Sequence, residues 1–451
     1  MTDAFGMRTV ADEFRALMTA DPPGAAADFA AARAYIAASG VSEHGQLSFL
    51  AVPKLITPPM LAHLQAAAAT AFCILEKVID RYLTDAAYRK LFPFPKALES
   101  LILADAGYAR RLPVARMDIF LNEETGDFKF CEVNTDGASA MNEDRELVNA
   151  WRPSALWQRT GERYELQPFE LFDSWARAFL AIYKGFPGAA ERPRVAIADF
   201  LELGTKAEFY VFRDAFVRAG ADCIVTDVRT LRYEGGVLTD ESGNRIHAIY
   251  RRAVTTDCIK RLDKITALLA AVRDKAVCLI GAFRTQVVHN KKIFIILRAP
   301  QTKAFLTAEE NDFIERHIPK TYVLGADEKI LRDVMHNKDK WIVKPADEYG
   351  SSGVATGGDY SHEGWEELVK EAIPHDYIAQ EFVTGYKTHN TFFDKTGKAV
   401  AGEYNNMLGM FMYDGRLSGL YSRQMLTRVT TKHEAGRVVC AVRCVRQGKN
   451  N

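Results

Sequence analysis

VARMDIFL at 114–121 and FKFCEVN at 128–134, joined by the polar turn Asn122-Glu-Glu-Thr-Gly-Asp127, form the stretch on which the fold turns. Both runs alternate apolar and polar residues, the pattern of half-buried strands, and the turn between them makes a hairpin. Alternation puts Arg116 and Asp118 on one face of the first strand and Glu132 and Asn134 on one face of the second. With Glu124-Thr125-Gly126 as a three-residue loop and Gly126 left-handed, position i faces position 250 − i. Asp118 is then predicted opposite Glu132, and Arg116 opposite Asn134. Two carboxylates facing each other across a strand pair repel, so the pattern asks for a cation between them. Carboxylate and amide oxygens suit Mg²⁺, which takes few protein ligands and keeps room for water and phosphate oxygens. A one-residue slip would separate the pair, leaving only the charges of an exposed hairpin.

Working outward, 451 residues allow two or three domains with sizeable cores. Lys+Arg and Asp+Glu both number 58, so there is no electrostatic case for a nucleic-acid or membrane-surface binder. The start, MTDAFGMRTVADEF, has no basic segment followed by an apolar run. No apolar run reads as approaching the roughly 20 residues of a spanning helix. Seven cysteines at 73, 131, 223, 258, 278, 440 and 444 lack CxxC spacing and read as reduced thiols, mostly buried. Cys131 is expected on the face opposite Glu132. A cytoplasmic location is the expectation.

Residues 1–110 read as a helical N-terminal region, with Thr57-Pro58-Pro59 supplying an N-cap and early prolines. After the hairpin, Trp151 to Tyr183 reads as helical. From Pro193, RVAIADF, the helical EFYVFRDAFVRAG, ADCIVTDV and AIYRRAV suggest a small parallel α/β sheet. No G-x-G-x-x-G follows its first strand. Arg251 and Arg252 are candidates for an anionic substrate, or else one of them is an exposed strand charge. Asp263 to Arg298 reads as helical. The stretch 320–430 reads as strand-rich, with Asp414-Gly415 a hairpin turn. The basic tail from His433 is assigned no role.

A second set of chemistry-bearing residues lies in this last third. Lys344 ends the apolar strand KWIVK, and the flexible run Tyr349-Gly350-Ser351-Ser352-Gly353-Val354 follows. Glycines and serines between two strands can fold over a triphosphate, although such runs also mark plain turns. Lysine offers phosphate a compact positive charge. In YIAQEFV, Gln380 and Glu381 would serve a nucleoside, or else form the solvent side of an edge strand.

Lys291, Lys344-Pro345, the Gly/Ser loop and the Gln-Glu strand together resemble the ATP-grasp superfamily. The R-x-D and E-x-N strands precede the nucleotide segments here, with an α/β unit in between. That order resembles the circularly permuted ATP-grasp ligases, specifically the glutathionylspermidine synthase family. The matching stretches are RMDIF (116–120), CEVNTDGASAMNE (131–143), HNKKIFIIL (289–297), WIVKPADEYGSSGV (341–354), YIAQEFV (377–383) and GLYSRQ (419–424).

The resemblance implies a mixed α/β (α+β) circularly permuted ATP-grasp fold. Its segments would be a helical region 1–110, a first ATP-grasp segment 111–190 and a pre-ATP-grasp-like α/β domain 191–288. A second ATP-grasp segment would cover 289–432, with a tail at 433–451. It makes Asp118, Glu132 and Asn134 the ligands of Mg²⁺, two ions in all, has Arg116 hold the acyl-phosphate end of the substrate and puts Ser139 at the reacting carboxylate. Lys291, Lys344 and the loop residues Gly350, Ser351, Ser352 and Gly353 would bind ATP phosphates. Gln380 and Glu381 would take the nucleoside, and Arg423 a phosphate. The family's D-S-A-S is here Asp136-Gly137-Ala138-Ser139, one serine short, and no Cys-His amidase domain is recognisable.

The activity implied is ATP-dependent joining of a small-molecule or peptide carboxylate to an amine, with ADP released. A nucleotide-binding module without ligase activity is the alternative. Neither nucleic acid nor membrane is an expected partner, and the sequence is silent on oligomeric state.

Overall fold

The hairpin is part of a larger antiparallel sheet. In the computed structural model, which describes residues 3–41, 47–348, 352–427 and 436–448, the hairpin strands are Val114–Leu121 and Phe128–Asn134. The first also pairs with the 15-residue strand Ala399–Tyr413. Arg416–Met425 and Gly436–Val439 extend the sheet on that side, and Lys387–Phe393 folds back on the long strand. AVAGEYN (399–405) and GMFMY (409–413), with the three residues between them, are one continuous strand. The Asp414-Gly415 turn closes its hairpin with φ of 47° and 85°, the left-handed pair such a turn needs.

The sheet's apolar face carries Ala115, Met117 and Ile119 into one cluster with Met60, Leu64 and Leu75 of the helix Pro58–Thr84. That 27-residue helix is long and apolar enough to cross a membrane by length and composition, which the sequence reading missed. Here its apolar side packs on protein. Its Glu76 accepts from the backbone N–H groups of Arg111 and Leu112 at 3.0 and 2.8 Å, anchoring the chain that enters the hairpin. Thr57 sits at the helix's N-cap position, but its hydroxyl donates to the Phe5 carbonyl at 2.6 Å instead of capping.

The parallel unit has the spatial order Cys278–Ile280, Ala248–Arg251, Arg194–Asp199, Asp222–Asp227, with Lys206–Arg218 as a crossover helix. Cys278–Ile280 lies in a stretch expected to be helical, and so does Tyr164–Pro168. Three buried residues are too few to show a period, and pairing with Ala248–Tyr250 makes them a strand.

A smaller antiparallel sheet has the order Thr321–Val323, Tyr377–Glu381, Trp341–Pro345, Ala355–Thr356. Trp341, Val343 and Ala379 pack against Val334, Trp365 and Val369 of the helices Glu328–His336 and His362–Ala372. Alternation then turns Ile342, Lys344 and Gln380 the other way.

The tail assigned no role is built into the fold. Gly436–Val439 edges the hairpin sheet, and Ala441–Arg446 runs between Lys54–Ile56 and Tyr164–Pro168. The chain is a mixed α/β protein.

Candidate functional site

The hairpin reaches its expected register by an unexpected route. Four residues, not three, separate Asn122 from Asp127, whose backbones pair at 2.8 Å, and Gly126 is left-handed at φ 78°. Leu121 therefore faces Phe128, and Ile119 faces Phe130. A bulge at Cys131 adds the missing residue, so that Asp118 faces Glu132 and Arg116 faces Asn134. The bulge also overturns the expectation for Cys131: it lines the cleft beside Glu132. Burial pushes its thiol up to about 12, against the pull of Lys344.

Asp118 is fully buried. Arg116 grips it with Nε to Oδ1 at 2.8 Å and Nη2 to Oδ2 at 2.9 Å, a bidentate pair. Arg116 Nη1 donates to the Ser139 carbonyl at 2.9 Å. Asn134 Nδ2 bridges the two carboxylates, at 3.1 Å from Asp118 Oδ2 and 3.2 Å from Glu132 Oε1. Burial pushes the Asp118 carboxyl up to about 6 against the pull of Arg116. Burial would raise Glu132 too, but Lys291, Arg116, the Asn134 amide and Lys344 outweigh it and hold that carboxyl at about 2. Glu132, its side chain 33% exposed, is thus the ionised carboxylate presented to the cleft.

On the neighbouring strand the residue opposite Asp118 is Gly409, and opposite that is Tyr421. A Cβ at Gly409 would lie 2.8 Å from Asp118 Oδ1 and 3.0 Å from Arg116 Cδ, so the glycine leaves room for the pair. The Tyr421 ring lies between Arg116 and Arg423, at 5.6 and 5.5 Å from the guanidinium carbons. Its hydroxyl donates to Glu143 Oε2 at 3.0 Å, and Arg423 stands 3.8 Å from the same oxygen. Tyr421 and Glu143 were not singled out from sequence. Tyr421 lies two residues before Arg423 and so shares its face, which is a readable signal. Glu143 is brought in only by the turn into the helix Met141–Trp151.

A cleft of 1010 Å³ separates this face from the smaller sheet. On its far wall Lys344 is buried and donates from Nζ to Gln380 Oε1 at 2.8 Å. Gln380 is also buried, on an interior strand, so it is no solvent-side residue, and its side chain serves Lys344. Glu381 is exposed at the cleft's edge. Lys291 reaches the cleft from the turn after Gln286–His289, with Nζ donating to the Glu348 carbonyl at 2.6 Å. Ser352 and Gly353 are exposed, whereas Tyr349, Gly350 and Ser351 lie outside the described residues.

The third wall is the parallel unit. Arg251 and Arg252 are both buried, so neither is an exposed strand charge. Arg251 pairs with Asp136 at 2.7 Å. Arg252 donates to the Ala138 carbonyl and pairs at 2.9 Å with Glu208, which accepts from Asn142 N–H at 3.1 Å. The two arginines therefore clamp the loop that carries Ser139. That loop turns through Gly137 at φ 61° and Ala140 at φ 85°. A Cβ on Gly137 would meet Val254 Cγ1 at 2.6 Å and the Arg252 carbonyl at 2.9 Å. The absent serine thus has a steric reason.

The donor set fits a hard divalent cation beside a polyphosphate. Glu132 and Asn134 offer oxygens at the cleft, and lysines stand on the other side. Among the described residues no three His, Cys, Asp and Glu side chains gather as an all-protein metal cage.

The sequence profile described as "Circularly permuted ATP-grasp type 2" matches residues 117–429, which take in the hairpin from Met117 onward and most of the cleft. A putative glutamate–cysteine ligase 2-2 of Frankia casuarinae is 30% identical over 179 residues, 38% of this chain. The match spans 20% of that relative's length. Among solved structures, a glutathione synthetase-like effector from Globodera pallida in its apo form superposes with a TM-score of 0.55 at 13% identity. It covers 91% of this chain and 94% of its own, a likeness of fold. A putative γ-glutamylcysteine synthetase from Methylobacillus flagellatus gives a TM-score of 0.42 at 11% identity, covering 81% of this chain and 84% of its own.

Proposed function

The chain belongs to the circularly permuted ATP-grasp type 2 family, and from that premise we propose that it is an ATP- and Mg²⁺-dependent carboxylate–amine ligase. One observation carries this reading. Glu132, held ionised, faces Lys344 and Lys291 across a single cleft, with Arg116 and Ser139 on the same wall as Glu132. A carboxylate does not condense with an amine at neutral pH, because its oxygen is too poor a leaving group. In the proposed reaction the carboxylate oxygen attacks the terminal phosphorus of ATP, the bond to the bridging oxygen breaks, and acyl phosphate and ADP form. The neutral amine then attacks the acyl carbon, phosphate leaves, and the nitrogen gives up a proton. Positioning and charge neutralisation do most of the work.

In this reading Lys291, Lys344, Arg423 and the Gly/Ser loop bind phosphates, while Arg116 and Ser139 attend the reacting carboxylate. Glu132 and Asn134, with Asp118 beside them, would hold Mg²⁺, two ions in all as the family resemblance implies. When bound, Mg²⁺ neutralises charge on the phosphate oxygens. Glu381 and the backbone of its strand serve the nucleoside. Residues 111–190 and 289–432 would be the two ATP-grasp segments around the unit 191–288, joined by 436–446.

The Frankia relative's name points to glutamate with cysteine, and the motif resemblance to a glutathione-like peptide with a polyamine. A crossed panel of such acids and amines, read by ADP release, tests the proposal. Hydroxylamine should trap an acyl phosphate from the productive acid. Tight Mg·ATP binding with no ADP release for any pair would overturn the ligase reading and leave a nucleotide-binding module.

A further inference from the structure

Behind Lys344 runs a buried chain of side-chain hydrogen bonds that the reaction above does not use. Lys344 Nζ donates to Gln380 Oε1 at 2.8 Å, and Gln380 Nε2 donates to Thr321 Oγ1 at 3.0 Å. Thr321 Oγ1 in turn donates to the Pro319 carbonyl at 3.0 Å. Lys344, Gln380 and Thr321 are 6, 3 and 4% exposed. Strand pairing brings them together. Thr321 faces Gln380, Gln380 faces Ile342, and Lys344 is two residues further along on Ile342's face.

The chain has a direction. A backbone carbonyl only accepts, so the single hydroxyl proton of Thr321 goes to Pro319 and leaves lone pairs toward Gln380. The Gln380 amide must then turn its NH₂ to Thr321 and its oxygen to Lys344. A reversed amide would set N–H dipoles against an ammonium and an oxygen against lone pairs. Because the amide is neutral, it orients Lys344 without cancelling the charge, as a carboxylate in the same place would.

We propose that Thr321 is a positioning residue for the nucleotide site: through Gln380 it aims the Lys344 ammonium at the phosphates. The proposal rests on reading Lys344 as a phosphate ligand, and its test separates the two.

Binding of Mg·AMP-PNP, a non-hydrolysable ATP analogue, is measured by calorimetry on the full chain, so no acid or amine substrate is needed. Thr321→Val removes the acceptor and should weaken binding about tenfold, the scale for loss of orientation at a charged hydrogen bond. Thr321→Ser keeps the hydroxyl and should restore it. Gln380→Glu keeps the shape but pairs Lys344 with a carboxylate, and should weaken binding further, most at low salt. Wild-type affinity in Thr321→Val, with Lys344→Ala impaired, overturns the positioning role while leaving Lys344 at the phosphates. Wild-type affinity in Lys344→Ala removes the parent reading and the proposal with it. If Thr321→Val fails to fold, Gln380→Met, which removes the amide between Thr321 and Lys344 without adding charge, takes its place: weakened binding supports the proposal and wild-type affinity overturns it.

Discussion

Gly409→Ala adds one methyl group to the middle of the site and removes no charge. Gly409 pairs with Asp118 on one side and Tyr421 on the other. The new Cβ would stand 2.8 Å from Asp118 Oδ1, 3.0 Å from Arg116 Cδ and 3.2 Å from Arg116 Cγ. Ordinary contact begins near 3.4 Å, so the carboxylate must withdraw by about 0.6 Å (3.4 − 2.8). It has little room to do so, being fully buried and gripped through both oxygens by Arg116. Either the pair shifts together toward Glu132, or it breaks. Overpacking of this kind costs about 1–3 kcal/mol of stability. A misplacement of about 1 Å in groups that position substrate can cost about 10²-fold in rate. Urea unfolding should therefore show a lower midpoint, and calorimetry should show weaker Mg·AMP-PNP binding and a raised Mg²⁺ requirement. Gly161→Ala, where the added carbon meets open space at the end of the helix Ala155–Gly161, should lower neither. A Gly409→Ala protein with wild-type midpoint and wild-type Mg²⁺ dependence would refute the close packing of Asp118, Arg116 and the strand.

Three further perturbations probe other parts of the molecule. Glu132→Gln keeps the hydrogen bond from Asn134 but removes the ionised carboxylate, and is expected to lower Mg²⁺-dependent nucleotide affinity about 10²-fold at unchanged fold, as read by calorimetry and circular dichroism. Gly137→Ser restores the serine of the resembled motif, yet φ of 61° and a Cβ contact at 2.6 Å should destabilise the protein by about 1–3 kcal/mol, seen as a lower urea midpoint. Asp144, buried where Ala441 N–H donates to it at 2.7 Å, has its carboxyl pushed up to about 8 by burial, with Glu143 adding to the rise. Its folded pKa lies above the unfolded one, so its contribution is fully present below about pH 4 and lost as pH rises through 8. Asp144→Asn should match the wild type near pH 4 and be more stable at pH 8; a wild-type slope in the variant would contradict this.

The face-sharing of Arg116, Asp118, Glu132 and Asn134 was legible in sequence because strand alternation is a local rule. So were the parallel strands at 194–199, 222–227 and 248–251, each a clear apolar run between turn signals. The register was correct through two compensating departures: a loop one residue longer than expected and a bulge at Cys131. No local pattern marks that bulge. It follows from the ladder that Asp118 shares with both Glu132 and the long strand Ala399–Tyr413.

What the chain alone determined, then, is which residue types lie on which face, because side-chain direction in a strand depends only on neighbours in sequence. Which of those residues meet is set by contacts between positions hundreds of residues apart. Gln380 serves Lys344 because two strands pair, and Arg252 clamps the Ser139 loop because the parallel unit packs against it. The C-terminal strand Ala441–Arg446 exists because Lys54–Ile56 and Tyr164–Pro168 offer open edges on both sides of it. Its isolated sequence, basic and without a turn signal, has no period to read, and the edges satisfy its backbone hydrogen bonds only in the assembled fold.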